Sequence, residues 1–272
     1  MSVVAKLRSQ RLPRRGERRF LVDESMTDEI LIILQRHPVL IAEDLSTPWR
    51  TTVYCDTPNW QIYRAVESGA GVLMRFREYH GTRPNNVFDS VETWLEFKPT
   101  LQFTGKTRFA LPARSIPALL RGELQIEQDA GEPAAWLRQL LDAGVRPVFA
   151  TQYHRLAYES ADKSIRITAD RDIRYLSLRQ WNNGNTEQTT FPLGPVFATE
   201  SNSVIEMKWR RALPGWAVTI AEFLEPYSVG SDRKFVVGAR QLQDSPALRR
   251  EAAHIAAASA SPSLRGDSVL PA

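Results

Sequence analysis

Apolar positions recur with a period of two along much of the chain. ERRFLVDE (17–24), WRTTVYCDT (49–57), GVLMRFREY (71–79), VETWLEFKP (91–99), RPVFATQYHRLAYES (146–160), KSIRITADRDIRY (163–175) and SVIEMKWRR (203–211) carry this alternation. They predict at least seven strands, since side chains of a strand point alternately to its two faces. The polar turn Ala161–Lys163 between two of the runs predicts a hairpin.

Helical spacing appears in TDEILIILQRH (27–37), ARSIPALLRGE (113–123), PAAWLRQLLDAG (133–144) and GWAVTIAEFLEPY (215–227), with Pro133 placed as a first-turn proline and Gly144 as a terminator. Strands outnumber helices, and hairpin-like pairs dominate. The expected class is α+β, a mainly antiparallel sheet rather than a doubly wound one. No glycine-rich phosphate loop of either common type is present.

The same alternation places the charge. Arg75 and Arg77 project from one face of their strand while Met74 and Phe76 take the other. Glu96 with Lys98, Glu206 with Lys208, and Glu17 with Arg19 repeat the arrangement, and Lys106, Arg108, Arg155 and Arg166 add basic positions on further strands. An antiparallel sheet with one wet face carrying surface charge pairs accounts for any one such strand. For the set there is another reading: helices cover the apolar face, and a twisted sheet of about eight strands curls into a barrel with the charges inside. An interior so rich in cations repels itself unless water or an anion offsets it, and a phosphate chain, onto which each arginine forks, is such an anion. Glu206, with Glu17 or Glu96, could then hold Mg²⁺ or Mn²⁺, which prefer carboxylate and phosphate oxygen.

Composition narrows the alternatives. The 272 residues are 43% hydrophobic and 24% charged, as expected of a folded soluble protein. The single cysteine, Cys55, excludes an internal disulfide, and the four histidines show no ligand spacing. No run approaches the ~20 apolar residues of a membrane span and no secretory signal is visible, so a cytoplasmic setting is expected. Residues 1–15 read as a mobile basic arm, 16–242 as one folded domain, and 243–272 as a short Ala-rich helix with a polar tail. Nucleic acid is disfavoured as a partner: stacking aromatics should interleave with the basic strands, and only Trp94 shares the charged face.

Eight short motifs, in order, carry a resemblance: YCDT (54–57), RFREY (75–79), LEFK (95–98), KTR (106–108), RPVFATQYHRLAY (146–158), IRITAD (165–170), IEMKW (205–209) and RKFVVG (233–238). Over residues 16–240 the chain resembles the VTC domain, the polyphosphate polymerase domain of the vacuolar transporter chaperone and a member of the triphosphate tunnel metalloenzymes. The resemblance implies an antiparallel tunnel barrel whose basic lumen binds ATP and polyphosphate, with a metal on a late-strand glutamate. The terminal phosphate of ATP would pass to a growing chain.

Carried over residue by residue, Arg75 and Arg77 match the paired arginines, Lys98 the lysine after the glutamate, and Lys106 with Arg108 the next basic pair. Arg155 and Arg166 match the tunnel arginines, Glu206 the metal glutamate and Lys208 its companion. Lys234 matches the lysine of a Ser-Lys-Tyr run whose other members are Arg233 and Phe235 in this chain, and Arg19 replaces a lysine in a Glu-x-Lys pattern begun by Glu17. The expected activity is a polyphosphate polymerase-like phosphotransferase. A tripolyphosphate or organic triphosphate hydrolase and a non-catalytic polyphosphate or nucleotide sensor remain alternatives.

Overall fold

A computed structural model describes residues 16–99, 106–123, 132–178, 190–230 and 233–245, together with the backbone of short strands at 4–5, 9–11 and 125–126. The first half runs β1 (Val4–Ala5), β2 (Ser9–Arg11), β3 (Gly16–Val22), α1 (Glu24–Arg36), β4 (Leu40–Ala42), β5 (Trp49–Asp56), α2 (Gln61–Glu67), β6 (Val72–His80), β7 (Asn86–Val87), β8 (Glu92–Pro99) and β9 (Thr107–Pro112). The second comprises α3 (Ile116–Leu120), β10 (Gln125–Ile126), α4 (Glu132–Asp142), β11 (Arg146–Ser160), β12 (Ile165–Leu178), β13 (Phe191–Thr199), β14 (Ser203–Trp209), α5 (Gly215–Leu224) and α6 (Arg233–Asp244).

The fold is α+β. All seven predicted strands form, and twelve strands in all join in one antiparallel array, β2-β9-β8-β6-β5-β11-β12-β13-β7, with β14 and then β3 branching from β12 and β4 from β11. The long hairpin β11–β12 makes the branching possible. Its Phe149–His154 half pairs with β5, while Tyr158–Ser160 pairs with β4. On β12, Ile165–Asp170 pairs with β14 and Arg174–Leu178 with β13.

The array departs from the expected barrel in one respect: among the described residues its hydrogen-bonded ladder is not closed. Its curvature is nonetheless constrained. Strands β2 and β3 lie at opposite ends of the array yet follow one another in the chain, so Arg11 and Gly16 are at most about 18 Å apart. Ser9–Arg11, expected within a free basic arm, instead extends the sheet by pairing with β9. The helix expected beyond residue 245 lies outside the described residues.

The outer face is mainly apolar, apart from a buried polar group of Glu78, Thr51, Thr93 and Gln152. Phe20, Ile165, Ile167, Ile205 and Met207 pack beneath Ile30 and Leu34 of α1 and Ala217, Ala221 and Leu224 of α5. Phe76, Leu95, Phe97 and Phe109 pack with Ile116 and Leu119 of α3 and Leu137 of α4. Helix α1 begins earlier than the periodicity predicts because the Asp23 carboxylate accepts the Met26 N–H at 2.8 Å and caps it.

Two helices were not predicted, and both take their places from tertiary contacts. The buried Asp56 carboxylate accepts the N–H groups of Thr57, Ile62 and Tyr63 at 2.7, 2.9 and 2.9 Å, which seats the seven-residue α2. Helix α6 lies against the charged side of the sheet instead of the outer one. Phe235 stacks on Phe149 with 6.1 Å between centroids and approaches Tyr54 at 5.4 Å, both aromatics on the face that carries Arg75. Among the described residues no helix is long and apolar enough to cross a membrane.

Gly238 permits the close approach of α6, because a methyl group there would collide with the rings of Phe149 and Tyr175. Gly238→Ala should therefore destabilise the protein by about 1–3 kcal/mol despite alanine's better helix propensity. The denaturant midpoint measures this, and an unchanged or raised midpoint would contradict the packing described.

Candidate functional site

Strand register gathers most of the sheet's arginines and lysines on one face. Directly opposed pairs on antiparallel strands share a face, and the cross-strand partners Arg19↔Glu206, Glu206↔Thr168, Asp170↔Arg155, Tyr54↔Arg75, Arg75↔Glu96 and Glu96↔Arg108 run in succession around the sheet. Three buried carboxylates organise the cations on this face.

Glu96, fully buried, receives Arg75 Nε at 2.8 Å, with Arg77 Nη1 at 3.7 Å and the Lys106 ammonium in contact. Burial would push the Glu96 carboxyl up, but Arg77, Lys106 and Arg75 together hold it well below the usual range. Burial, with Arg77 and Arg75 alongside, drives the Lys106 ammonium down against the pull of Glu96.

Asp170 takes both Nε and Nη2 of Arg155, at 2.5 and 2.7 Å, and the Lys234 ammonium of α6 at 2.6 Å. Glu206 accepts Nε and Nη2 of Arg19 at 2.8 and 2.6 Å and Lys208 Nζ at 2.9 Å, and Arg155 reaches it at 3.9 Å. Arg155 thus bridges the second and third carboxylates. Both acids resist the upward push of burial: Arg155 and Lys234 hold Asp170 below its ordinary value, and Lys208, Arg19 and Arg155 hold Glu206 well below.

Tyr153 lies among these groups, with Lys234 Nζ 4.7 Å and Arg155 Cζ 5.3 Å from its ring centroid. Burial would raise its phenol, but Arg77, Arg155 and Lys234 outweigh that and bring it down to about 8. Arg50 joins the same face, paired across the strands with Tyr153 and Tyr79. Burial and the nearby Arg155 lower its pKa.

The expected site residues are thus largely brought together: Arg19, Arg75, Arg77, Lys106, Arg155, Lys208 and Lys234 meet in the three clusters. Lys98 follows Glu96 on the same face, opposite Leu73. Arg108 stacks over Trp94 at 4.0 Å. Arg166 shares the face through its pairing with Lys208, but its guanidinium is engaged by Glu43 at 2.7 Å, an acid that no motif pointed to.

The three acids expected at a metal separate into two groups. Glu17 and Glu206 lie on adjacent strands and share Arg19 and Lys208 as contacts. Glu96 stands apart on β8, enclosed by Arg75, Arg77 and Lys106, for which it is the counter-ion. Among the described residues, no three or more His, Cys, Asp or Glu side chains converge into a metal-binding cluster. Two carboxylates, with the unpartnered Thr168 hydroxyl opposite Glu206, make a hard-oxygen donor set short of a full shell. Such a set suits Mg²⁺ or Mn²⁺ whose remaining ligands are phosphate oxygens and water.

Residues 14–243 match the family described as VTC domain. The chain belongs to this family. The VTC domain spans every strand of the charged face from β3 onward and includes α6. No curated protein matches the chain. Solved structures similar to it include a "putative adenylate cyclase" from Bacillus halodurans (13% identity, 80% of this chain and 93% of that one, TM-score 0.43) and another from Vibrio parahaemolyticus (9% identity, 82% and 97%, TM-score 0.41). The PH1819 protein of Pyrococcus horikoshii OT3 shows 13% identity over 78% of this chain and 87% of that one, with a TM-score of 0.36.

Within this VTC domain, sequence reasoning missed Arg50, Tyr153 and the role of Asp170. Part of the signal was present: Tyr153 sits two residues before Arg155, a position already noted as basic, whereas nothing on strand 49–57 had marked the side that carries Arg50. Asp170 was legible as a face-mate of Arg166, but only the hairpin register brings it to Arg155 and only α6 brings it Lys234.

Two measurements test these electrostatics. Glu96→Gln removes the charge that neutralises three buried cations and should cost about 3–5 kcal/mol, read from chemical denaturation; a loss within experimental error would show that the cluster is well solvated. Tyrosinate absorbance should reveal one tyrosine titrating at about 8 in the folded protein, a step absent from Tyr153→Phe. Because this folded-state value lies below the ordinary ~10, the associated stability grows as pH rises from about 8 toward 10 and is lost as pH falls through about 8.

Proposed function

We propose that this VTC domain is a metal-dependent phosphotransferase that moves the terminal phosphate of ATP onto a polyphosphate chain. The observation that carries the reading is the crowding of arginines and lysines on one curved face around only a few carboxylates. Such a face favours a ligand with many anionic oxygens, and a chain of phosphates supplies them.

Phosphoryl transfer needs positioning and charge neutralisation more than covalent help. Arg75, Arg77, Lys98, Arg155 and Arg166 clamp the triphosphate, while Lys106, Arg108 and Arg19 extend the cationic surface along which the chain lies. The bond from the terminal phosphorus to the oxygen linking it to the rest of ATP breaks as a bond from the acceptor's terminal oxygen forms, and ADP departs. Lys208 and Lys234 offset the charge that develops on the departing and attacking oxygens. Glu206 and Glu17 would hold Mg²⁺ or Mn²⁺, which when bound neutralises phosphate oxygens. Partners are ATP and polyphosphate, in a cytoplasmic setting.

Phe235 favours a second reading, that of a polyphosphate or nucleotide sensor. Its ring is buried against Phe149 and offers no hydroxyl beside Lys234. Incubation of the purified protein with ATP and Mn²⁺ should yield long-chain polyphosphate, and Glu206→Gln should lower the rate by about 100-fold. Orthophosphate as the sole product would identify a hydrolase instead. Binding without turnover, insensitive to Glu206→Gln, would identify the sensor.

A further inference from the structure

We propose that Trp94, flanked by Arg108 and Tyr79, is a stacking seat for the base of a purine nucleoside triphosphate. This rests on the reading of the charged face as a triphosphate site, and adds to it a source of nucleotide preference that phosphate contacts cannot supply.

Most aromatic side chains on the charged face are unavailable. Tyr54, Phe149, Tyr153 and Tyr175 are at most 2% exposed, packed under α6 or among the arginines. Trp94 and Tyr79 are only half-buried. They are diagonal neighbours: Trp94 lies directly opposite Arg77, and Tyr79 follows Arg77 by two residues on the same face. On its other side Trp94 faces Ala110, a small side chain.

Each ring already carries a planar cation. The Arg108 guanidinium lies 4.0 Å from the Trp94 centroid and that of Arg50 lies 4.6 Å from Tyr79. A guanidinium on an indole presents a flat, weakly hydrated surface of the kind on which bases stack. The position along the sheet fits as well. Helix α6 packs against Tyr54 and Phe149, in the register row of Arg75, whereas Trp94 and Tyr79 lie further along β8 and β6, away from that helix. A base seated at Trp94 directs its phosphates onto Arg77, the immediate cross-strand neighbour, and from there toward Arg75 and Arg155. A purine offers more ring area than a pyrimidine, so ATP and GTP are preferred to CTP.

Calorimetric titration with ATP, CTP and inorganic tripolyphosphate separates the base from the phosphates. Wild-type protein should bind ATP more tightly than CTP or tripolyphosphate. Trp94→Leu should weaken ATP about tenfold more than it weakens tripolyphosphate, and Trp94→Phe should recover most of the loss. Tripolyphosphate binding also reports that each variant is folded. Equal weakening of both ligands, no weakening of either, or wild-type affinities that ignore the base would each overturn the stacking seat while leaving the phosphate site intact. Failure of wild-type protein to bind either ligand would instead overturn the triphosphate reading, and the seat with it.

Discussion

Repulsion among arginines and lysines confined to one face of the sheet is the constraint around which this molecule is organised. It is met by three buried carboxylates, each directly opposite an arginine in the strand register: Glu96 with Arg75, Asp170 with Arg155, Glu206 with Arg19. A one-residue slip of any of these pairings would move the acid to the apolar face and strand the cations without a counter-charge. Register and electrostatics therefore enforce each other, and the apolar packing of Phe20, Phe76, Phe97 and Ile205 on the opposite face locks both.

The carboxylates also fix geometry. Asp170 holds Arg155 through two nitrogens and Glu206 holds Arg19 through two, so these side chains are posed before any ligand arrives, and less conformational entropy is lost on binding. A phosphate chain would then exchange with, or add to, anionic oxygens that the cations already contact. The depressed pKa values of Glu96 and Glu206 express the same surplus of positive charge from the acid side, and that of the Tyr153 phenol expresses it from its own.

Helix α6 sets the environment in which these charges act. Its aromatic contacts with Tyr54 and Phe149 cover one end of the charged face, and it delivers Lys234 to Asp170 and to the ring of Tyr153. Excluding water at that end strengthens each electrostatic contact nearby. The half-buried aromatics, Trp94 and Tyr79, lie away from it, so the face has one end lined with fully buried rings and another whose rings carry arginines.

Much of this was legible in the chain. Period-two alternation located the seven long strands and assigned Arg75, Arg77, Lys98, Glu96, Glu206 and Lys208 to one face, because neighbouring side chains of an extended backbone must point oppositely. The order of short motifs placed the chain in its family. Local pattern could not show helix α2, which depends on a buried Asp56 carboxylate, or α6, whose place depends on aromatic contacts from distant strands. Nor could it show that Arg166 is engaged by Glu43, that Glu96 serves as a counter-ion, or that Tyr153 and Asp170 stand among the arginines. Alternation decides which side of a strand a residue occupies. Which residues of other strands and helices it meets is decided by register and curvature, and those arise only when the whole sheet is assembled.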